Sequence, residues 1–255
     1  MTAVKINKIL RKGKAMLLAY DQGIEHGPGD FNDRNVDPLF IVDIAKKGKF
    51  TGLIVGKGIA EKYNREIKKS KVPLIVKLNG KTNLYKGEPV SRQLCSVKEA
   101  VKLGAVAIGY TIYIGSKYES VMLEDFEKIE EEAHSKGLPV IAWVYPRGKS
   151  IEGKSSRELM AYAARTGLEI GADVVKMNWN GNIKDLIWAI KSAGRTKVVI
   201  AGGVKGNDRE VLHNFDTIMK SGAVGLAIGR NVWQNKNPEE FSDRVRNILF
   251  MEKKP

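Results

Sequence analysis

The chain has 255 residues, of which 43% are hydrophobic, and a single cysteine, Cys95. That length can form one large core, and a lone thiol excludes a disulfide framework and a cysteine-based zinc site. The 43 Lys and Arg residues outnumber the 29 Asp and Glu residues and give a net charge of +14. These basic residues are spread along the chain, and no apolar run approaches the ~18 residues of a membrane span. We therefore expect a soluble, cytoplasmic protein with a solvated basic surface and with no membrane or nucleic-acid partner.

Eight apolar segments of strand length alternate with helical segments along the chain. The predicted strands cover 15–20, 52–56, 72–78, 105–112, 138–145, 172–177, 197–203 and 223–229. They are apolar throughout, as parallel strands buried on both faces are. Most helical segments end in Gly directly before the next strand, which is typical of a helix C-cap. A polar segment, 79–96, follows the third strand and is called the polar excursion below. A short "NVWQ" turn precedes the last helix.

Eight strand–helix units in about 250 residues predict a (β/α)8 TIM barrel of the α/β class. A doubly wound open sheet is the alternative, but regular units without a linker or low-complexity segment favour a closed barrel. The same regularity predicts a single domain over residues 1–255.

The active site of such a barrel lies at the C-terminal ends of its strands. The polar and glycine residues at the predicted ends are Asp21, Gln22, His26, Lys57, Lys77, Asn79, Tyr110, Tyr113, Trp143, Tyr145, Arg147, Lys176, Asn178, Gly202, Gly203, Gly229 and Arg230. Glycines after the seventh and eighth strands let backbone N–H groups approach an anion, and Arg230 adds positive charge. These residues predict a phosphate site; the alternative is that the glycines only make tight turns.

Lys176 follows the apolar segment "ADVV" in the sixth strand. A buried ammonium group is costly unless it is paired or loses its proton. Apolar surroundings and a nearby cation (Lys57, Lys77 or Arg147) would lower the pKa of Lys176 and leave a free amine that attacks a ketone. The alternatives are a lysine that reaches solvent and one that contacts phosphate.

Tyr145 ends the neighbouring strand, where a phenol beside a cation can shuttle protons. Asp21 ends the first strand and can hold a substrate hydroxyl or act as a second base. For both residues a purely structural role remains open: Tyr145 as a core tyrosine, Asp21 as the partner of a barrel lysine.

The sequence contains no complete motif for a metal site, a dinucleotide site or a P-loop. The three histidines fall in a loop (His26) and on two helices (His134 and His213), so we expect no metal site. The segment "GKGIAE" lacks the third glycine of a dinucleotide fingerprint, and "GLIVGKG" lacks the Ser or Thr of a P-loop. We therefore predict no cofactor, and consider His26 a candidate for contact with a phosphate or hydroxyl group.

Five motifs occur in the same order as in one enzyme family: "DQGIEHGP", "KLNGKT", "YPRG", "ADVVK" and "AGG…GRN". Over essentially its whole length the chain resembles the archaeal-type class I fructose-bisphosphate aldolases. That family also includes aminodideoxyheptulosonate synthases, which usually carry "DHG" without the "EH" pair present here. One stretch departs from the family pattern: the lysine is commonly followed by Thr and then Tyr-Thr-Gly, but here by Met177, Asn178, Trp179, Asn180 and Gly181.

The resemblance implies a Schiff base on Lys176, proton donation by Tyr145 and a substrate contact by Asp21. Further positions matching substrate or phosphate contacts of the family are Gln22, His26, Trp143, Arg147, Gly202, Gly203, Gly229 and Arg230. Asn178, at the same strand end as Lys176, is an additional predicted substrate contact. The implied reaction is metal-independent, reversible cleavage of fructose 1,6-bisphosphate to dihydroxyacetone phosphate and glyceraldehyde 3-phosphate, in glycolysis and gluconeogenesis. The implied assembly is a cytoplasmic homo-oligomer of high order.

Two alternatives remain at this point. One is a 2-amino-3,7-dideoxy-D-threo-hept-6-ulosonate synthase, or another Schiff-base phospho-sugar lyase or transaldolase on the same scaffold; the pair Glu25 and His26 favours the aldolase. The other, more distant, is a non-catalytic basic protein that binds nucleic acid. Which residues hold the second phosphate is also open, with Arg147, His26 and a strand-end lysine as candidates.

Overall fold

Eight parallel strands form a closed barrel in the computed structural model, which describes residues 3–251. The barrel strands are β1 (Ala15–Ala19), β2 (Gly52–Gly56), β3 (Leu74–Lys77), β4 (Ala107–Ile114), β5 (Val140–Pro146), β6 (Val174–Met177), β7 (Lys197–Ala201) and β8 (Gly225–Ile228). Each strand pairs with the next along the chain, and β8 pairs with β1. The predicted (β/α)8 barrel is confirmed and the open sheet is excluded. The range of the predicted domain remains a prediction, because residues 1–2 and 252–255 lie outside the described part of the chain.

Helices surround the barrel and also follow several strands on its C-terminal face. They are α1 (Gly23–His26), α2 (Pro38–Lys47), α3 (Lys57–Lys62), α4 (Asn64–Ser70), α5 (Val97–Leu103), α6 (Glu119–Ser135), α7 (Ser156–Glu169), α8 (Ile183–Ser192), α9 (Asp208–Lys220), α10 (Arg230–Trp233) and α11 (Pro238–Phe250). Short 3-10 turns lie at Ile6–Ile9, Gly27–Asp30 and Lys149–Ile151. None of the helices within residues 3–251 has the length and apolar character needed to cross a membrane.

Three elements differ from the predictions in their bounds. β4 continues to Ile114, beyond the predicted end at 112, because it stays paired with β5 as far as Ile114 and Pro146. The helical segment predicted between the second and third strands is two helices, interrupted at Tyr63 (φ −110°, ψ 20°). The polar excursion after β3 contains two short antiparallel strands, 79–80 and 92–93, so it folds back on itself instead of running as an open loop.

Alternate residues of each barrel strand face the interior and the helices. Leu17, Ile54 and Val174 belong to an interior cluster, together with Ile9 from the N-terminal 3-10 turn. Val175 packs in the larger cluster between strands and helices. Both faces of the strands are therefore buried, and this is why the strands are apolar throughout their length.

The same alternation determines where the side chain of Lys176 lies. Val174 faces the interior and Val175 faces the helices, so Lys176 faces the interior again. Lys176 is the third of the four residues of β6, pairs in register with Trp143 of β5 and Val199 of β7, and is only 6% exposed. The alternative of a lysine that reaches solvent is therefore wrong.

Candidate active site

A cavity of about 430 Å³ opens among the C-terminal strand ends. It is lined by every residue predicted for the catalytic, substrate and phosphate contacts: Asp21, Gln22, His26, Trp143, Tyr145, Arg147, Lys176, Asn178, Gly202, Gly203, Gly229 and Arg230. Two other strand-end candidates, Lys77 and Tyr113, line it as well. The fold therefore brings these residues together, and their individual roles remain proposals.

Three strand-end candidates do not line the cavity. Lys57 begins α3 and pairs with Glu99 at 2.5 Å. The hydroxyl of Tyr110 donates to Asp125 on α6 at 3.0 Å, because Tyr110 faces the helices and not the interior. The side chain of Asn79 is a structural bridge: its amide donates to the carbonyl of Thr111 at 2.8 Å and its oxygen accepts from the Thr111 N–H. These three assignments to the site were wrong, because a position at a strand end does not determine which face a side chain occupies.

Two ammonium groups lie against one indole ring inside the cavity. The Nζ atoms of Lys176 and Lys77 lie 4.9 and 5.2 Å from the ring centroid of Trp143. The Lys77 Nζ is also 3.5 Å from Oδ2 of Asp21, and both side chains are at most 10% exposed. The indole fits because residue 109 of β4 is a glycine: a Cβ there would be 1.8 Å from the Trp143 ring. The strand residues thus pack two cations, a carboxylate and an indole into one buried cluster.

This cluster lowers the pKa of both Lys176 and Asp21, but through different causes. Burial lowers the pKa of Lys176 to about 8; the positive charge of Lys77 acts in the same direction, and the carboxylate of Asp21 opposes it. Burial alone would raise the pKa of Asp21, but Lys176 and Lys77 together hold the pKa of that carboxyl below its usual value. At pH 7 about a tenth of the Lys176 amines are neutral, far more than for an ordinary lysine. Of the three cations predicted near Lys176, Lys77 is the one that acts on its pKa.

Tyr145 lies two residues after Trp143 on β5 and therefore faces the cavity. Burial, with the negative charge of Asp21, raises the pKa of the Tyr145 phenol well above its usual value, although Arg147 partly opposes this. The Arg147 guanidinium lies 5.5 Å from the centre of the tyrosine ring. The phenol is therefore protonated at neutral pH and able to donate a proton.

Arg147 lies at the mouth of the cavity and is paired with Glu25. The guanidinium and carboxylate approach to 2.5 Å, and the hydroxyl of Tyr113 donates to the same carboxylate at 3.5 Å. Burial would lower the pKa of Arg147, but the carboxylate of Glu25 outweighs that effect and keeps the guanidinium charged. Lys81 also lines this region. The mouth is therefore suited to an anionic group.

His26 and Arg230 are joined by one carboxylate. Nδ1 of His26 lies 2.6 Å from Oδ2 of Asp30, and Arg230 approaches the same oxygen at 3.7 Å. His26 closes the short helix α1, so its predicted placement in a loop was wrong. Among residues 3–251 no three His, Cys, Asp or Glu side chains are grouped in a way that would hold a metal ion.

The ends of β7 and β8 contribute backbone in place of long side chains. A Cβ at Gly202 would lie 3.0 Å from Cγ2 of Ile228, and one at Gly229 would lie 2.9 Å from the carbonyl oxygen of Ala19. Gly203 has φ +72°, in the left-handed region that favours glycine. The glycines therefore allow both a tight turn and a close approach by a ligand, and the two interpretations of the sequence are compatible.

Some cavity residues were not predicted. Lys81 and Ser91 come from the polar excursion, and no local pattern indicates that this excursion folds back over the site. Asp30 lies four residues after His26, and an i, i+4 spacing of this kind was a usable signal for an ion pair.

Comparison with known proteins gives a consistent result. Residues 15–235 match the model of the DeoC/LacD family aldolases. The class 1 fructose-bisphosphate aldolase of Thermoproteus tenax is 45% identical over 96% of this chain and 92% of that relative. The "fructose-bisphosphate aldolase/6-deoxy-5-ketofructose 1-phosphate synthase" of Methanocaldococcus jannaschii is 38% identical over 94% of this chain and 81% of its own length.

A solved structure of an archaeal fructose-1,6-bisphosphate aldolase superposes with a TM-score of 0.90 and 43% identity, covering 96% of this chain and 98% of that one. In that protein the catalytic lysine is covalently bound to the carbinolamine intermediate of the substrate. Identity at this level over nearly the full length of both chains goes beyond a shared barrel. The chain belongs to the DeoC/LacD aldolase family and, within it, to the class I fructose-bisphosphate aldolases of the archaeal type.

Proposed function

We propose that this protein reversibly cleaves fructose 1,6-bisphosphate to dihydroxyacetone phosphate and glyceraldehyde 3-phosphate, through a Schiff base on Lys176 and without a metal ion. The observation that carries the proposal is the buried amine of Lys176, whose pKa is lowered to about 8 inside the cavity. A neutral amine at that position is a nucleophile for a ketone carbon. The similarity to class I aldolases over nearly the whole chain supports the same reaction.

The reaction begins with attack of the Lys176 amine on C2 of the ketose, which gives a carbinolamine. The phenol of Tyr145, protonated at neutral pH because its pKa is raised by burial, donates its proton to the C2 hydroxyl. That hydroxyl leaves as water, and the nitrogen lone pair forms the iminium ion. The depressed pKa of Lys176 supplies the nucleophile, and the raised pKa of Tyr145 supplies the acid.

Cleavage of C3–C4 then sends the bonding electrons into the iminium and produces an enamine. The phenolate of Tyr145 accepts the proton of the C4 hydroxyl as glyceraldehyde 3-phosphate forms, and the ionised carboxylate of Asp21 holds a substrate hydroxyl in place. Return of the proton to C3 and hydrolysis of the resulting iminium release dihydroxyacetone phosphate and regenerate the amine. Each proton that Tyr145 gives is thus taken back within one cycle.

The remaining cavity residues position the substrate in this proposal. The side chain of Trp143 lines the cavity and packs against the sugar; its indole N–H is buried and has no hydrogen-bond partner among residues 3–251. Gln22 and Asn178 also line the cavity and can hydrogen-bond the sugar.

The two phosphates bind at different ends of the cavity. The C1 phosphate of the ketose lies against Gly202, Gly203, Gly229 and Arg230, with His26 beside Arg230, and the C6 phosphate lies near Arg147. The support for this division is that both regions line the same cavity and that each carries an arginine.

An assay of fructose 1,6-bisphosphate cleavage, coupled to detection of both triose phosphates, tests the proposal. The wild-type protein is expected to turn over, to keep its activity in EDTA and to lose it in Lys176→Ala. Activity that EDTA abolishes and a divalent metal restores would refute the metal-free mechanism.

Assays of the same purified protein with other substrates distinguish the aldolase from the alternative functions. The relative from Methanocaldococcus jannaschii carries a second activity in its name, so 6-deoxy-5-ketofructose 1-phosphate synthesis belongs in the assay panel, together with heptulosonate synthesis. The nucleic-acid alternative predicts salt-sensitive oligonucleotide binding that survives Lys176→Ala, with no sugar turnover.

The proposal includes a cytoplasmic homo-oligomer acting in glycolysis and gluconeogenesis. Its support is the resemblance to the archaeal-type aldolases, and light scattering at several protein concentrations checks the assembly. A monomer at all concentrations would contradict this part of the proposal and leave the chemistry untouched.

A further inference from the structure

The side chain of Asn231 holds the loop that follows β7. Its Nδ2 donates to the carbonyl oxygens of Gly202 at 2.7 Å and Val204 at 2.9 Å, and its Oδ1 accepts from the N–H of Gly206 at 3.0 Å. Asn231 is 1% exposed and does not itself line the cavity. One buried amide on α10 therefore makes three hydrogen bonds to a loop that carries part of the cavity wall.

These hydrogen bonds determine the direction of the loop amides. A trans peptide unit is planar, so its C=O and the following N–H point in opposite directions. Because the Gly202 carbonyl points at Asn231, the N–H of Gly203 points away from Asn231, and Gly203 lines the cavity. That N–H has no partner within the described residues. The carbonyl of Val204 also points at Asn231, so by the same geometry the N–H of Lys205 points away from Asn231.

We propose that Asn231 is a positioning residue that aims the amides of the 202–206 loop at the ketose phosphate. The proposal rests on the phosphate site of the proposed function and identifies what gives that site its shape. Asn231 directly follows Arg230, so one helical turn presents the cation of the site and fixes the backbone of the loop beside it. The two halves of the phosphate site are thereby joined by a single side chain.

An asparagine meets a requirement that few side chains can meet. The loop needs two donors for its carbonyls and one acceptor for the N–H of Gly206, and a side-chain amide supplies all three from one short planar group. Aspartate can accept from Gly206 but cannot donate to the two carbonyls. The loop contains three glycines, Gly202, Gly203 and Gly206, so without these bonds its backbone has wide conformational freedom.

The test compares phosphate-dependent and phosphate-independent readouts in Asn231→Ala. The KM for fructose 1,6-bisphosphate and the inhibition constant of inorganic phosphate are both expected to rise by roughly tenfold or more, the scale of one lost charge-assisted hydrogen bond. The kcat is expected to change much less, because the amine of Lys176 is untouched. Borohydride trapping of unphosphorylated dihydroxyacetone on Lys176 is expected to keep its wild-type rate.

Asn64→Ala is the matched control. Its side chain donates to the carbonyls of Ala60 and Leu103, so the variant also loses two side-chain-to-backbone bonds, but outside the cavity. Its melting temperature is expected to fall without a change in KM or in phosphate inhibition. If Asn231→Ala does not fold, Asn231→Asp, which keeps the acceptor for Gly206, serves for the same measurements and is expected to show the same selective loss.

An unchanged KM and unchanged phosphate inhibition in a folded Asn231 variant would overturn the proposal. Equal losses with phosphorylated and unphosphorylated ligands would also overturn it, because they would indicate general damage to the cavity. Failure of the proposed function is seen separately, as a wild-type protein that does not cleave fructose 1,6-bisphosphate.

Discussion

The cavity is lined on one side by buried ionisable side chains and on another by backbone. The charged wall consists of Asp21, Lys77, Tyr145 and Lys176, and the glycine wall consists of Gly202, Gly203, Gly229 and Arg230. In the charged wall, burial and neighbouring charge move the pKa of Lys176 down and that of Tyr145 up. In the glycine wall, the backbone approaches closely because side chains are absent, and Asn231 orients it. Bond making and phosphate binding therefore depend on different kinds of groups and should be separable by mutation.

After the loss of activity expected for Lys176→Ala, the largest effect within the charged wall is expected from Tyr145→Phe. Loss of a general acid–base typically costs about 10²- to 10⁴-fold in rate, and the loss should fall on kcat with little change in KM. Steady-state kinetics with fructose 1,6-bisphosphate provide the measurement. Tyr110→Phe, which removes a buried phenol that faces α6, is the control and should retain its kcat. A fully active Tyr145→Phe would remove the phenol from the mechanism.

Arg147→Met tests whether the mouth of the cavity binds the C6 phosphate independently of the charged wall and the glycine wall. The loss of a cation that contacts phosphate is expected to lower kcat/KM for fructose 1,6-bisphosphate by roughly ten- to thirtyfold. With fructose 1-phosphate, which lacks the C6 phosphate, the same variant should resemble the wild type. An equal loss with both substrates would show that Arg147 acts on the chemistry through Tyr145 or Glu25.

Lys77→Met tests how the charge of Lys77 lowers the pKa of the Lys176 amine. Lys176 attacks only when neutral, so the rate rises with pH until the pKa of Lys176 is passed, near 8 in the wild type. Removing Lys77 removes a like charge, so the pKa of Lys176 moves upward and the rising limb moves to higher pH. At pH 7 the neutral fraction, and with it the rate of Schiff-base formation, should fall roughly three- to tenfold.

The pH profile of borohydride trapping in Lys77→Met measures this shift directly. Lys57→Met, which loses a lysine paired with Glu99 outside the cavity, should keep the wild-type profile. If the rising part of the pH–rate profile moves to lower pH in Lys77→Met, Lys77 does not lower the pKa of Lys176.

The smallest effect is expected from Gly203→Ala in the glycine wall. Residue 203 has φ +72°, and the space that a Cβ would occupy there is open, so the alanine strains the backbone without a clash, at a cost of about 1–2 kcal/mol. Part of that strain should shift the loop and raise the KM for fructose 1,6-bisphosphate roughly threefold, with kcat preserved. Gly153→Ala is the control, because Gly153 has φ +76° and equally open space away from the cavity.

The charged wall was largely predictable from the sequence, because a lysine in an apolar strand is an anomaly that needs a chemical reason. Lys176 was found in this way, Tyr145 and Asp21 were found from their positions at strand ends, and all three line the cavity. Tyr110 was misplaced because strands buried on both faces carry no alternating pattern that distinguishes inside from outside. Lys57 was misplaced because it begins α3, where its side chain pairs with Glu99.

The glycine wall was predictable only in part. Its glycines are visible at two strand ends, but Asn231 lies in a four-residue helix and has the appearance of a turn residue. Its three hydrogen bonds reach residues 25 to 29 positions earlier in the chain, and no local spacing encodes contacts of that range. The folding of the polar excursion over the cavity, which brings Lys81 into the site, was not predicted for the same reason.

The role of Lys176 as the nucleophile is tested most directly by borohydride trapping of the wild-type protein with dihydroxyacetone phosphate, followed by intact mass and peptide mapping. We expect one reduced adduct per chain, on Lys176, with Lys77 unmodified. An adduct on Lys77, or no adduct while dihydroxyacetone phosphate is demonstrably bound, would contradict this expectation and leave Lys176 without a role as nucleophile.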